Sequence, residues 1–135
     1  MTYPTTAEIL DDFEFFDDWQ ERYQYIIDLG KSLPEMPESL KEPSNLIRGC
    51  QSNVWLSMNI KEGRLQLQLD SDAIIVKGLL ILVLAAFNNK TASEIINFDV
   101  DDYFSKLDLF RHLSPTRGNG VRAVVSKIGE IAANQ

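Results

Sequence analysis

The run AIIVKGLLILVLAAF, residues 73–87, limits what this chain can fold into more than any other stretch. It holds one charge, Lys77, and otherwise offers water almost nothing. At 15 residues it is short for a bilayer span, which takes about 20. It predicts a helix that is apolar nearly all round, and such a helix belongs at the centre of a core. The rest of the chain must then cover it from several sides. With 135 residues, 44% of them hydrophobic, the chain is large enough to do so as a single domain, 1–135.

The flanking segments carry patterns suited to that task. Thr5 and Glu8 have capping-box spacing, and Ile9, Leu10, Phe13 and Phe16 fall on one face of the helix they open. A second helix is expected from about Asp18 to Leu29, with Trp19, Tyr23, Ile26 and Ile27 as its stripe and Gly30 as a left-handed C-terminal cap. LPEMPESLKEPSN, with three prolines, reads as a long irregular connection. In NVWLSMNI, residues Val54, Leu56, Met58 and Ile60 alternate with polar neighbours, as Leu65, Leu67 and Leu69 do in RLQLQLD. With a turn at Gly63 the two runs predict a hairpin with one apolar face. A lone hairpin is marginal in water, so a third strand is expected, with NLIR at 45–48 as its source.

Asp70, Ser71 and Asp72 stand where caps for the apolar helix belong. Thr91 and Glu94 repeat the capping box. DDYFSKLDLFRHL, 101–113, reads as one helix, and SPTRGNG breaks it with Pro115, Gly118 and Gly120. The final helix carries Val121, Val124, Val125, Ile128, Ile131 and Ala132 on one stripe. Helices, then a small antiparallel sheet of about three strands, then helices make an α+β fold.

Net charge is −7 and uneven: residues 1–42 hold 11 acids against 3 bases. A negative chain repels phosphate backbones, so no nucleic-acid partner is expected. The acidic half is either a solvated surface or a face for a partner. MTYPTTAEILDD has no basic and apolar regions of a secretory signal and is too acidic for a transit peptide. One cysteine forms no internal disulfide. These features predict a soluble protein of the cytoplasm, or of the plastid stroma if processed, with no membrane span.

No Gly-rich phosphate loop follows a strand, since GNG stands alone between helices. One Cys and one His are too few for a structural zinc site. Asp70 with Asp72, and Asp99 with Asp101 and Asp102, resemble carboxylate clusters but read more simply as caps and a solvated turn. No metal is expected. Cys50 remains. It lies outside every periodic run, between the Pro-rich connection and a strand, and Gly49 beside it permits backbone angles other residues avoid. A lone cysteine is commonly a small buried apolar side chain. Functional groups, in turn, concentrate on loops held by a rigid frame. On the residues alone the two readings stand level. Cys50 and His112 as nucleophile and base are a further arrangement, although the flanks of Cys50 match no cysteine-hydrolase signature.

Five runs then occur in order: RYQYIIDLGKSLPEMP, IRGCQSNVWL, DSDAIIVKGLL, INFD and HLSPTRGNG. Together they resemble the SufE family of sulfur-acceptor proteins, partners of pyridoxal-phosphate cysteine desulfurases. The resemblance covers the chain from about Trp19 to the last helix. GCQS looks more like the SufE branch than its CsdE relative. Asn53 stands where glutamine is frequent, and Ser114 and Thr116 swap the usual hydroxyl residues.

The resemblance implies a fold like that of iron–sulfur scaffold proteins and a role for Cys50 as persulfide carrier. Sulfur would come from a SufS-type desulfurase and go to an iron–sulfur scaffold, with pyridoxal phosphate belonging to the desulfurase and no cofactor of the chain's own. No independent turnover is implied, and monomer and homodimer both stay open. Around Cys50 and Gly49, the resemblance gives supporting positions to Gln51 and Ser52, which would bond the loop or the transferred sulfur. It places Asp72 where loop and docking surface are shaped, and His112 and Arg117 near the loop, where Arg117 would lower the thiol pKa. Trp55 reads as a packing residue. Leu46, Ile47, Val54 and Trp55 are apolar enough to line a pocket that Gly49 lets the loop enter. The alternatives are a stand-alone cysteine-dependent enzyme using Cys50 and His112, or an acidic interaction module whose cysteine is inert.

Overall fold

The computed structural model describes residues 3–135. The elements run α1 (Thr6–Phe15), α2 (Trp19–Gly30), β1 (Val54–Lys61), β2 (Arg64–Ser71), α3 (Ile74–Phe87), α4 (Ala92–Asn97), α5 (Val100–Leu107) and α6 (Pro115–Ala133). Short 3-10 turns lie at Glu38–Leu40, Pro43–Asn45 and Phe110–His112. The fold is α+β, as the order of patterns predicts. The apolar run forms α3, and ten of its fourteen residues are buried. It packs against α1, α2, α6 and β2, and one continuous apolar cluster joins all of them.

Contact with α2 is backbone on backbone. A Cβ on Gly78 of α3 would lie 2.0 Å from the carbonyl oxygen of Ile26, and one on Gly30 would lie 2.7 Å from the Gly78 nitrogen. Neither space can hold a carbon. Gly30 is therefore no left-handed cap. It completes α2, and Lys31 after it stays right-handed at φ −66. Its missing side chain serves the crossing and not the turn. At the other end, α1 closes the predicted capping box: the Glu8 amide donates to Thr5 Oγ1 at 3.1 Å and the Thr5 amide to Glu8 Oε1 at 3.2 Å. Phe13 then points inward, met edge-on by Trp19 and Tyr25 at 5.8 and 5.7 Å.

The hairpin pairs from Val54↔Ser71 to Lys61↔Arg64. Its turn residues Glu62 and Gly63 both have positive φ, 55 and 76, as a two-residue turn matched to the strand twist requires. Val54, Leu56, Leu65, Leu67 and Leu69 are buried, while Ile60, on the same predicted face, is 52% exposed near the turn. The third strand does not form. Leu46 makes one isolated bridge to Trp55, with the Ile47 amide donating to the Val54 carbonyl at 2.9 Å. The 3-10 turn ending at Asn45 and the positive φ of Gly49 leave too few extended residues between them for a ladder. Among the described residues the sheet has two strands, and its stability comes from α3 beneath it.

Asp70 and its neighbours also depart from expectation. Ala73 occupies the N-cap of α3, and no side chain caps the helix. Ser71 Oγ accepts from the Ala73 amide at 3.2 Å, one residue too early. Asp70 is 1% exposed and faces the irregular segment. Its carboxylate accepts from the Met36 amide at 3.0 Å and the Ser71 amide at 2.8 Å, with the ammonium groups of Lys41 and Lys77 at 3.6 and 3.9 Å. Two amides and two cations offset the cost of burying that charge.

The stretch 101–113 is not one helix. α5 ends at Asp108, which turns left-handed at φ 52, a conformation aspartate tolerates better than most residues. α6 starts earlier than the glycines suggest. Ser114 is its N-cap, accepting from the Arg117 amide at 3.3 Å, and Pro115 takes the first turn, where its missing N–H costs nothing. Gly118 and Gly120 lie inside the helix.

Two stability measurements test this packing. Gly78→Ala removes an unfavourable helix glycine, worth about 1 kcal/mol in an open site. Here overpacking should dominate and destabilise by about 3 kcal/mol or more. A denaturant melt showing stabilisation would mean that the helices do not touch at Gly78. Leu80, 2% exposed, should cost about 2–5 kcal/mol on truncation to Ala; a loss under about 1 kcal/mol would place it in solvent.

Candidate functional site

Cys50 sits in the irregular segment between the Leu46 bridge and β1. Gly49 before it has φ +93, where any other residue would be strained. That angle carries the loop back against α6. Cys50 Sγ lies 3.6 Å from the carbonyl oxygen of Gly120 and donates a weak hydrogen bond to it. Beneath the loop is a cavity of about 70 Å³ with an apolar floor that includes Val54 of β1, Val76, Leu80 and Val83 of α3, and Val121 and Val124 of α6. A water's share of liquid is about 30 Å³, so the space admits one or two small groups. Cys50 is half-buried, and that burial pushes its thiol pKa up.

The rim is polar. Gln51 is exposed, Ser52 half-buried, and Thr116 and Arg117 complete it from the first turn of α6. Of the four apolar residues expected to line a pocket, only Val54 does. Alternation along the strand sends Trp55 to the other face, where the Lys41 ammonium lies over its ring at 5.3 Å. Leu46 and Ile47 border a separate groove with Met58 and Ile131. The real floor comes from α3 and α6, remote in sequence.

Of the three remaining candidates, Arg117 and Asp72 lie at the loop as expected, and His112 does not line the hollow. Arg117 Nη1 donates to the Tyr23 hydroxyl at 3.4 Å, which turns its charge towards α2. The thiol pKa moves up through desolvation and not down through Arg117. His112 is stacked on Trp19, ring centres 4.1 Å apart, with Nε2 3.4 Å from the Asp108 carboxylate. It makes no hydrogen bond to Cys50, so the nucleophile–base pair does not assemble. The left-handed break at Asp108 has moved that segment onto α2. Asp72 is exposed, and its side chain makes no hydrogen bond to a described residue. Its amide donates to the Asn53 carbonyl at 3.4 Å, which ties the start of α3 to the end of the Cys50 loop. The glycine signal in GNG does point to a residue of the site, Gly120, but as a contact inside a helix and not as a break.

Chemically this is a protonated thiol on a positioned loop, over an apolar hollow and without a base in contact. Such a group does not activate a substrate by itself. It suits exchange with an already electrophilic sulfur. Among the described residues no three metal-ligating side chains converge, and no helix is long and apolar enough to cross a membrane.

Comparison with known proteins agrees with the five sequence runs. Residues 7–132 match the family model SufE, described as an Fe-S metabolism associated domain. An uncharacterised SufE-like protein of Rhizobium meliloti (strain 1021) is 46% identical over 125 residues, covering 90% of this chain and 89% of that protein. A second such protein, from Rhizobium etli, is 46% identical over 129 residues, covering 93% and 87%. The solution structure of a hypothetical protein from Thermus thermophilus superposes with a TM-score of 0.77 at 15% identity, over 99% of this chain and 97% of that one; this likeness speaks for the fold alone. With a family model matching nearly its whole length, the chain belongs to the SufE family of Fe-S metabolism associated domains.

Proposed function

We propose that this chain is the sulfur acceptor and activator of a pyridoxal-phosphate cysteine desulfurase of SufS type, and that it acts through Cys50 as one domain. The observation that carries this reading is the placement of its one cysteine: on a loop held by Gly49 and α6, above an apolar hollow, with no base in contact. Cys50 loses its proton and its thiolate attacks the outer sulfur of the desulfurase persulfide. The sulfur–sulfur bond of the donor breaks as a new one forms on Cys50. The donor cysteine leaves as thiolate and takes up a proton, so nothing is oxidised or reduced overall. Cys50 then passes the sulfur to an iron–sulfur scaffold by the same exchange. The chain needs no cofactor of its own for either step. Gly49, Gln51 and Ser52 shape the loop, and Asp72 holds it through the Asn53 contact.

Incubation with a desulfurase and cysteine, followed by intact-mass measurement, tests this directly. One added sulfur on Cys50 is the expected result. Cys50→Ser should melt within about 1 kcal/mol of the wild type, because a half-buried loop residue contributes little core, and should take up no sulfur. A variant that unfolds, or one that still accepts sulfur, would falsify the carrier role. Because burial raises the thiol pKa, the thiolate fraction at neutral pH is lower than in a free thiol. Alkylation of Cys50 should therefore be slow at neutral pH, with a midpoint above the ordinary value of about 8.5. A docked, catalytically dead desulfurase should speed it by favouring a second loop state, in which the thiol turns out of the hollow.

A further inference from the structure

α6 holds three glycines, Gly118, Gly120 and Gly129, although each costs about 1 kcal/mol against alanine in a helix. They differ in what surrounds them. Nothing lies within 4 Å of a Cβ built on Gly129, whereas one on Gly118 meets the Phe110 ring at 3.2 Å. On Gly120 the three nearest atoms all belong to one residue: Cys50 Sγ at 3.5 Å, and its Cα and Cβ both at 3.8 Å. The carbonyl of the same glycine accepts the thiol hydrogen. Cys50 rests on bare backbone of α6 at Gly120.

We infer that Gly120 is a positioning residue for sulfur transfer: its bare backbone is the seat that holds the Cys50 loop inward, and the size of residue 120 sets how often the thiol turns out. The inference rests on the reading of Cys50 as sulfur acceptor, since attack on a partner's persulfide needs the outward loop. A partner that binds the outward state must overcome this seat, and only its differential affinity can do so. Size should act in two directions. A single methyl at 120 fits at ordinary contact distance and adds attraction to three Cys50 atoms. The two γ-carbons of valine reach beyond that Cβ, which already lies 3.5 Å from Sγ, and should push the loop out. Neither change should cost much stability, because alanine is the better helix former and valine is no worse than glycine.

The test is the alkylation rate of Cys50 in the full chain across pH. With one cysteine in the sequence, the signal has a single source. Gly120→Ala should alkylate about twofold more slowly than wild type, from the added contacts. Gly120→Val should alkylate roughly tenfold faster, with its pH midpoint moved down towards that of a free thiol. Gly129→Val, on the same helix with open space around it, should match wild type. The inference is overturned if Gly120→Val reacts at the wild-type rate, or if Gly129→Val accelerates as much. Should the valine variant not fold, Gly120→Ala reacting as fast as wild type, or faster, overturns it. Intact mass after incubation with the desulfurase separates the two claims: absence of sulfur on Cys50 removes the acceptor reading, while the alkylation order still decides the role of Gly120.

Discussion

A helix with almost no polar face must be covered on nearly every side, and the rest of this molecule is arranged to cover α3. Each large aliphatic side chain it buries is worth about 1.5–3 kcal/mol against exposure. That sum is the main term set against the entropy of ordering the chain. α2 answers with backbone contact at Gly30 and Gly78, the hairpin with alternating leucines, and α6 with a valine stripe. These coverings have different thicknesses. Glycines bring α2 very close, whereas β1 and α6 stand off at side-chain distance and leave a hollow of about 70 Å³ between them and α3. The Cys50 loop closes that hollow. The one cysteine is thus seated on the core itself.

The loop is anchored on both sides by polar contacts that replace regular structure. Upstream, the irregular segment is held by the buried Asp70 carboxylate through the Met36 amide and the Lys41 and Lys77 ammonium groups. Downstream, the Asp72 amide takes the Asn53 carbonyl. Charges serve these anchors and not the thiol. Arg117 bonds Tyr23, and His112 lies on Trp19. With Arg117 and His112 engaged elsewhere and an apolar floor beneath it, the thiol has its pKa pushed up by burial. That arrangement suits a carrier, for which reaction with stray oxidants would mean loss of the group.

Much of this was legible in the residues because the signals are local. A capping box needs only two residues three apart, and both boxes formed as the spacing predicts. Strand alternation and the Glu62–Gly63 turn set the hairpin register. The apolar run could bury itself only as a central helix. The motif combination around Cys50 identified the family, which the family model and the two Rhizobium relatives bear out.

Four of the departures share one cause. Glycine and aspartate have several uses, and sequence shows only the commonest. Gly30 looked like a cap and is a helix crossing; Gly120 looked like a break and is a seat for a sulfur. Asp70 looked like a cap and is a buried anchor, while Asp108 looked helical and is the turn that ends a helix. For three of them the deciding atom lies far along the chain: Gly78 for Gly30, Cys50 for Gly120, Met36 for Asp70. The sequence by itself determined most of the elements, the central helix and the loop that carries the thiol, because periodicity and turn chemistry act over a few residues. Only the tertiary structure decided what surrounds that thiol, because its floor, its acceptor and the partners that Arg117 and His112 take instead are set by how α3, α6 and α2 pack.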